Sequence, residues 1–557
     1  MKYQVFSENQ WIYPDTELTG SHSAALYAPR GADTCFQLLT DHVLEGGETI
    51  TAEFSMEGCE AVVYQLLTAT VPLNSDAKML CTTDYESVKH FVTRKAPFDV
   101  YEITRPLNEG ETEAGRAAFY IRINVASDAP VGDFVSDLTI RMGEALVTLP
   151  VSVRIYNVRV PALADSEFHM VNWIYYDRLA KDHNTEICSE TYMEVLDRYL
   201  DNEIDMRNDF LMIPSGKPVR DGEGQVVDFD FTAAETVGNR ALAHGFKYIM
   251  GGFVARFKVW NDPDHFLLWD RNVTTSSIEG YRQLKIYFTR AYECIRRNGW
   301  EKNYMQCLVD EPQIPNSLTY RALSGICRKC IPGVIINDPV ESADLAGACD
   351  IWVVKQAVFE KYLEEYQRLQ ACGETMWIYT CGFPGGYCMN RIIDLPLAAS
   401  RLPMWMCYKY DAPGFLHWGY HVHNPEGRYD TNYHTEGVSY PAGNGHVVYP
   451  VGDTVWYGVR AHLQRAGAVD YELLAILGKR DKAKALALIE KVCRTFDDYE
   501  FSSEVLDSVR RELLEAIGLK GEDSGRNWVK EIRIAWKKHR GGGAFPVGGD
   551  GGRRRGA

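Results

Sequence analysis

Leu308-Val309-Asp310-Glu311-Pro312 is a short apolar run that ends in two adjacent acids and a proline. Pro312 disfavours the helical region for Glu311 and has no N–H to give a sheet ladder, so a strand arriving through Tyr304-Met305-Gln306-Cys307-Leu308-Val309 is expected to stop there. Two carboxylates are then left at the mouth of a sheet, where α/β enzymes keep their chemistry. The same tripeptide is unremarkable in a solvated turn; the buried character of the run ahead of it is what points to a site. Like charges this close repel, so one acid is expected to stay protonated near neutral pH, as an acid catalyst requires, and the pair to titrate as a unit.

Other strands must hold this pair. Up to about Val160 the chain reads as strands: Phe119, Ile121, Ile123 and Val125 alternate with polar residues, then Phe134, Leu138 and Ile140, then Val147, Leu149, Val151, Val153 and Ile155. Gly and Pro turns between them predict an antiparallel β-sandwich over residues 1–160. After Pro161 strands alternate with helices. Strands are expected at Phe168 to Tyr175, Phe210 to Ile213, Phe246 to Met250, Tyr304 to Val309, Val334 to Asn337, Ile351 to Val354, Met376 to Thr380 and Gly414 to Trp418, with a helix from Ser277 to Arg297 among those between. Eight such units over about 250 residues predict a (β/α)8 TIM-type barrel, placed at 161–460. Residues 461–540 read as C-terminal helices, one capped by Ser503 and lined by Val505, Leu506, Val509, Leu513 and Ile517. The Gly- and Arg-rich tail 541–557 is expected to be disordered.

At 557 residues the chain is too long for one core. A net charge of -17 argues against a nucleic-acid partner, and no apolar run is long enough to cross a bilayer. The N-terminus has no apolar signal core and the 14 cysteines are scattered, which suits a cytoplasmic setting. Cys327 and Cys330 form a lone Cys-x-x-Cys on a helix, without the second pair that a zinc site needs. Neither a metal nor a cofactor is expected, and a homo-oligomer is left open. The 12 tryptophans and 32 tyrosines offer faces that stack on sugar rings, although most such residues are core.

A conventional retaining glycosidase needs two carboxyl groups about 5 to 5.5 Å apart, normally from different strands. Adjacent residues on one strand cannot easily straddle a sugar ring. The seventh predicted strand ends Tyr379-Thr380-Cys381 and the sixth Val354-Lys355-Gln356, neither with an acid; only Asp209 and Asp338 stand near strand ends. This pattern favours substrate-assisted hydrolysis, in which the sugar's own 2-acetamido oxygen attacks the anomeric carbon and both acids sit on one side of the ring.

Leu308 to Pro312 resembles the catalytic motif of glycoside hydrolase family 123, the retaining β-N-acetylgalactosaminidases. Met376 to Gly382, Pro403 to Met406, Gly414 to Trp418, and Tyr449-Pro450 followed by Arg460, Arg465, Gly467 and Asp470-Tyr471-Glu472 resemble the related domain of unknown function 4091. Ala466 and Val469 depart from that pattern, standing where acids are usual. The resemblance implies Glu311 as general acid/base, Asp310 as stabiliser of the acetamido group and its oxazolinium-like intermediate, and exo-acting release of β-linked N-acetylgalactosamine from a carbohydrate partner. Tyr379 is then a candidate to bind the acetamido carbonyl. Trp377, Trp418 and Trp173 are candidate walls for the sugar, and Asn337, Asp209 and Lys355 candidate hydroxyl ligands. His417, with His421 and His423 nearby, is a candidate for stacking or hydroxyl recognition, since no acid or Cys stands at metal-ligand spacing. Two alternatives are a glycosidase of other specificity (N-acetylglucosamine or a plain hexoside) with Asp209 or Asp338 as nucleophile, and a non-catalytic carbohydrate-binding barrel, against which the intact Asp310-Glu311 pair counts.

Overall fold

The computed structural model describes residues 1–424, 431–435 and 438–518. The tail 541–557 and the end of the predicted helical segment lie outside the described residues.

The alternating apolar runs form the long strands Gly115–Val125, Gly132–Met142 and Ala145–Arg159. The first belongs to a seven-stranded sheet ordered Tyr3–Ser7, Ala32–Leu44, Gly115–Val125, Cys59–Val71, Phe98–Pro106, Thr454–Gly458, Val448–Val451. The other two belong to a four-stranded sheet with Ala24–Arg30 and Ile50–Glu53. Phe119, Ile121 and Ile123 of one sheet share an apolar cluster with Leu138, Ile140, Leu149 and Val151 of the other, as the period-two alternation dictates.

Three features differ from the expectation. Ala24–Arg30 runs parallel to Ala145–Arg159, so the pairing is not wholly antiparallel. A single helical turn, Tyr85–Val88, interrupts the strands. Thr454–Gly458 and Val448–Val451, from the stretch assigned to the barrel, extend the N-terminal sheet, with Tyr457 opposite Thr104. Pairing across some 350 residues leaves no local trace in sequence.

Eight parallel strands follow: β1 (His169–Asn172), β2 (Phe210–Ile213), β3 (Tyr248–Gly251), β4 (Tyr304–Gln306), β5 (Ile335–Val340), β6 (Ile351–Lys355), β7 (Thr375–Thr380) and β8 (Gly414–His417). Their order is β1-β8-β7-β6-β5-β4-β3-β2, the cyclic order of a TIM-type barrel. At the seam, the Asp209 N–H donates to the Met170 carbonyl and its carboxylate accepts the Met170 N–H, each at 3.2 Å. The helix after β3, Ile278–Asn298, is capped by Ser277 and ended by Gly299 at φ +69°. No helix separates β5 from β6. Alternate strand residues point inward, so Val171, Phe210, Met250, Met305, Cys307, Val353, Trp377 and Leu416 fill the lumen.

Buried ion pairs join the layers. Arg460, on the long helix Val459–Glu490, reaches Glu102 of the N-terminal sheet at 2.8 Å. Arg401 bonds Asp470 at 2.6 Å and Glu8 at 2.9 Å, and the Trp405 indole donates to Asp470 at 3.0 Å. Several residues that carry the family resemblance therefore serve assembly. The last described helix, Ser503–Gly518, buries Leu506, Val509, Leu513 and Ile517 as its spacing predicts, whereas Val505 is only partly buried and the hydroxyl that accepts the Val505 N–H, at 3.4 Å, is that of Ser502 and not Ser503.

Candidate active site

The chain leaves β4 at Gln306, but Leu308 and Val309 continue its direction. The Leu308 carbonyl accepts the N–H groups of Val254 and Ala255, both at 3.1 Å, and the Leu308 N–H donates to Asp338 Oδ1 at 2.8 Å. Asp310 and Glu311 follow at the C-terminal mouth of the barrel. Glu311 takes φ +51°, a left-handed conformation rare outside glycine, instead of the extended one its proline neighbour favours. The Glu311 N–H donates to the Pro339 carbonyl at 3.1 Å and helps hold that turn. Strained backbone of this kind concentrates at functional sites.

The two carboxyl groups sit in different surroundings. Asp310 is exposed to the mouth, and Glu311 is half-buried. Glu311 Oε1 accepts the Tyr379 hydroxyl and lies 3.1 Å from the Lys355 ammonium. Lys355 also binds Glu341 Oε1, and Gln313 donates to Glu341 Oε2 at 3.2 Å. Two carboxyl groups thus share one ammonium.

Asp310 is reachable by solvent but ringed by protein, and this poor hydration, followed by the charge of Glu311, pushes its carboxyl up to about 7; Lys355 works against the shift. Glu341 is raised by burial and then by Glu311. Burial disfavours the Lys355 charge, but its charged neighbours outweigh it and hold the ammonium above its ordinary range: Cys381 only once its thiol ionises in alkali, and Glu311 and Glu341 below that. The group that repulsion and burial keep protonated toward neutral pH is therefore Asp310.

The candidate residues fall into two groups. Asp310, Glu311, Tyr379 and Lys355 stand together, with Lys355 committed to carboxylates. Trp173 lies two residues beyond Val171 on the inward face, edge-on to Phe253 at 5.5 Å, and its indole N–H has no partner among the described residues. Trp418 is half-buried on the same face of β8.

The others are placed elsewhere. Trp377 is 1% exposed and packs on Phe210 at 4.8 Å and His169 at 5.6 Å, residues from the opposite end of the barrel. Gly414 makes room for it, since a Cβ there would come within 2.1 Å of the indole. Asn337 is fully buried in the lumen, paired with Ile351 at the start of β6, and its amide has no partner among the described residues. Asp209 precedes β2 at the barrel's N-terminal end, bonded to His169 at 2.7 Å and 3.4 Å from Lys247. His417 points outward from β8, accepts the Gly419 N–H at 3.0 Å, and is kept neutral by burial and by Arg391 and Arg460. His421 accepts the Tyr175 N–H at 3.0 Å, and His423 meets the Val448 carbonyl at 2.7 Å. Asp338 faces away from the lumen, where the Tyr320 hydroxyl donates to it at 2.7 Å and burial holds its carboxyl well above the usual range. Trp377, Asn337, Asp209 and His417 therefore do not line the mouth, and neither Asp209 nor Asp338 is placed as a nucleophile. Among the described residues no three His, Cys, Asp or Glu side chains gather as a metal site requires.

Two residues escaped the sequence reading. Glu341 follows β5, whose end was predicted at Asn337; the strand runs on through Pro339 to Val340, so the acid at its true tip was passed over. Tyr175 lies two residues beyond Trp173, and its hydroxyl is raised by burial and by the charge of Asp310. The period of two, carried one step further, would have found it.

An eight-stranded parallel barrel with paired acids at the tip of β4 and an aromatic mouth has the architecture of a glycoside hydrolase. Residues 173–477, more than half of the chain, match the model of the catalytic domain of glycoside hydrolase 123. The chain belongs to glycoside hydrolase family 123, and the segments that resemble domain of unknown function 4091 all fall inside that match. It is similar in fold to a family 123 glycoside hydrolase from Clostridium perfringens, described through the details of glycolipid glycan hydrolysis, with a TM-score of 0.71 at 12% identity over 93% of this chain and 97% of that one. A Bacteroides ovatus GH5 xyloglucanase gives a TM-score of 0.33 at 9% identity, covering 84% of this chain and 100% of that one, too low to add to the argument. No curated protein matches the chain in sequence. The chain is a glycoside hydrolase acting on carbohydrate, and among the described residues no helix is long and apolar enough to cross a membrane.

Proposed function

We propose that the chain is a retaining, exo-acting glycosidase that releases β-linked N-acetylgalactosamine by substrate-assisted catalysis. The observation that carries this reading is the different setting of two consecutive acids at one strand tip, with Asp310 open to the mouth and Glu311 held by Tyr379 and Lys355. The acetamido oxygen attacks the anomeric carbon as Glu311 passes its proton to the leaving oxygen, and the glycosidic bond breaks. Asp310 accepts the acetamido N–H, and the developing positive charge favours its ionised form. Water, deprotonated by Glu311, then opens the oxazolinium ring and regenerates the acetamido group. In this scheme the Tyr379 hydroxyl leaves Glu311 to bind the acetamido carbonyl.

One observation favours a second reading. Glu341 is a carboxylate on the neighbouring strand that shares Lys355 with Glu311, the arrangement a conventional retaining pair would have. Both of its oxygens are already engaged, which weighs for the first reading.

A panel of aryl β-glycosides of N-acetylgalactosamine, N-acetylglucosamine and galactose tests the proposal, with a glycolipid ending in N-acetylgalactosamine added because the Clostridium perfringens relative is described in that context. Turnover confined to acetamido sugars, with tight binding of a thiazoline mimic of the cyclised intermediate, is expected. Good turnover of the galactoside, or a 2-fluoro sugar trapped on Glu341, would refute it.

A further inference from the structure

We infer that Glu341, acting through Lys355, is a positioning residue that sets how readily Glu311 holds its proton. The inference rests on Glu311 as the acid/base group. Lys355 emerges from the tip of β6 with its side chain only 6% exposed, and it meets a carboxylate on either hand: Glu311 from the β4 turn and Glu341 from the tip of β5. The two tips are tied by their backbones, Glu311 N–H to the Pro339 carbonyl at 3.1 Å and Glu341 N–H to the Pro312 carbonyl at 3.4 Å. Gln313 fixes the other oxygen of Glu341 at 3.2 Å and forms a capping box with Asn316 that holds Gln313 in turn. Glu341 cannot swing away from the ammonium without giving up Gln313, nor Glu311 without giving up the Tyr379 hydroxyl.

The consequence is electrostatic. An acid catalyst paired to an undivided ammonium would stay ionised and donate poorly. Glu341 takes part of that positive charge, and its own negative charge repels ionised Glu311. Among the described residues, the other groups facing Glu311 are Asp310 beside it, Tyr379 on β7 and Cys381 just past its end. Asp310 acts in the same direction as Glu341, the Tyr379 hydroxyl donates to Glu311, and the Cys381 thiol, pushed up to about 12 mainly by burial, stays neutral. Among the described residues Lys355 is the one cation paired with Glu311, so the share of it left to Glu341 governs the balance.

The test follows the ionisation of Glu311 directly. In protein labelled with ¹³C at glutamate carboxyls, the Glu311 signal is the one lost in Glu311→Gln, and its titration is followed in the wild type, Glu341→Gln, Glu341→Asp and Lys355→Met. Glu341→Gln is expected to move the midpoint down by about one pH unit, as an undivided cation within 4–6 Å does. Lys355→Met should move it up, and Glu341→Asp should restore part of the wild-type value. The alkaline limb of kcat/KM for any substrate turned over should move in the same direction as the midpoint. An unmoved midpoint in folded Glu341→Gln overturns the inference, whatever the activity. A sugar trapped covalently on Glu341 overturns it too, by making Glu341 a nucleophile. If no acetamido sugar is turned over, the proposed function fails while the titration still decides this point.

Discussion

Asp338 gives the sharpest test of how the site is built. It accepts the Leu308 N–H at 2.8 Å and the Tyr320 hydroxyl at 2.7 Å, both in the interior. Leu308 stands two residues ahead of Asp310, so the carboxyl braces the turn that carries the acidic pair. Burial raises its carboxyl well above the usual carboxylate range, while the two donors it accepts favour the ionised form. Asp338→Asn keeps the size and one carbonyl oxygen and should lose little, within about 1 kcal/mol. Asp338→Ala strands two buried donors at about 1–3 kcal/mol each, or about 2–6 kcal/mol together, a large part of the 5–15 kcal/mol typical of a folded domain. Denaturant unfolding and kcat/KM are to be measured on both variants. Asn should stay within several-fold of wild-type activity, and Ala should lose stability in proportion. A folded Asn variant that loses about a thousand-fold or more would refute the bracing role and return Asp338 to the chemistry.

Glu311→Gln should lower kcat/KM about 10²- to 10⁴-fold for poor leaving groups but less for an activated aryl group, as read from a leaving-group series; equal losses would remove it as the acid. Asp310 has its folded carboxyl raised from 3.8 to about 7, so the stability it contributes is fully present below about pH 4 and is lost as pH rises through 7. Asp310→Asn removes that dependence, and its Tm relative to wild type should climb between pH 4 and 7 while turnover falls; a flat difference would contradict the shift. Trp377→Ala should cost about 3–5 kcal/mol in unfolding free energy, whereas Trp418→Ala should raise KM with little change in stability. Unfolding curves beside Michaelis constants check both.

Sequence alone determined much of this protein. Period-two alternation between Phe119 and Ile155 located three long strands, and the strand–helix alternation after Pro161 located all eight barrel strands, because both patterns are local records of which face is buried. The placement of Asp310, Glu311 and Tyr379 at one end of the barrel was legible for the same reason: a strand tip and a side-chain face can be read within a few residues. What tertiary structure decided was depth. Trp377 and Tyr379 share a face, yet one fills the lumen beside Phe210 and the other reaches Glu311, since the level of a residue depends on strand tilt and register around the closed barrel. Asp209 read as a strand-end acid and proved to close the opposite end of the barrel. Glu341 became visible only when β5 ran on past Pro339, and Thr454–Gly458 found its partner on Phe98–Pro106. Each of these depends on chain segments brought together by closure of the barrel or the sheet, and sequence spacing carries no measure of that.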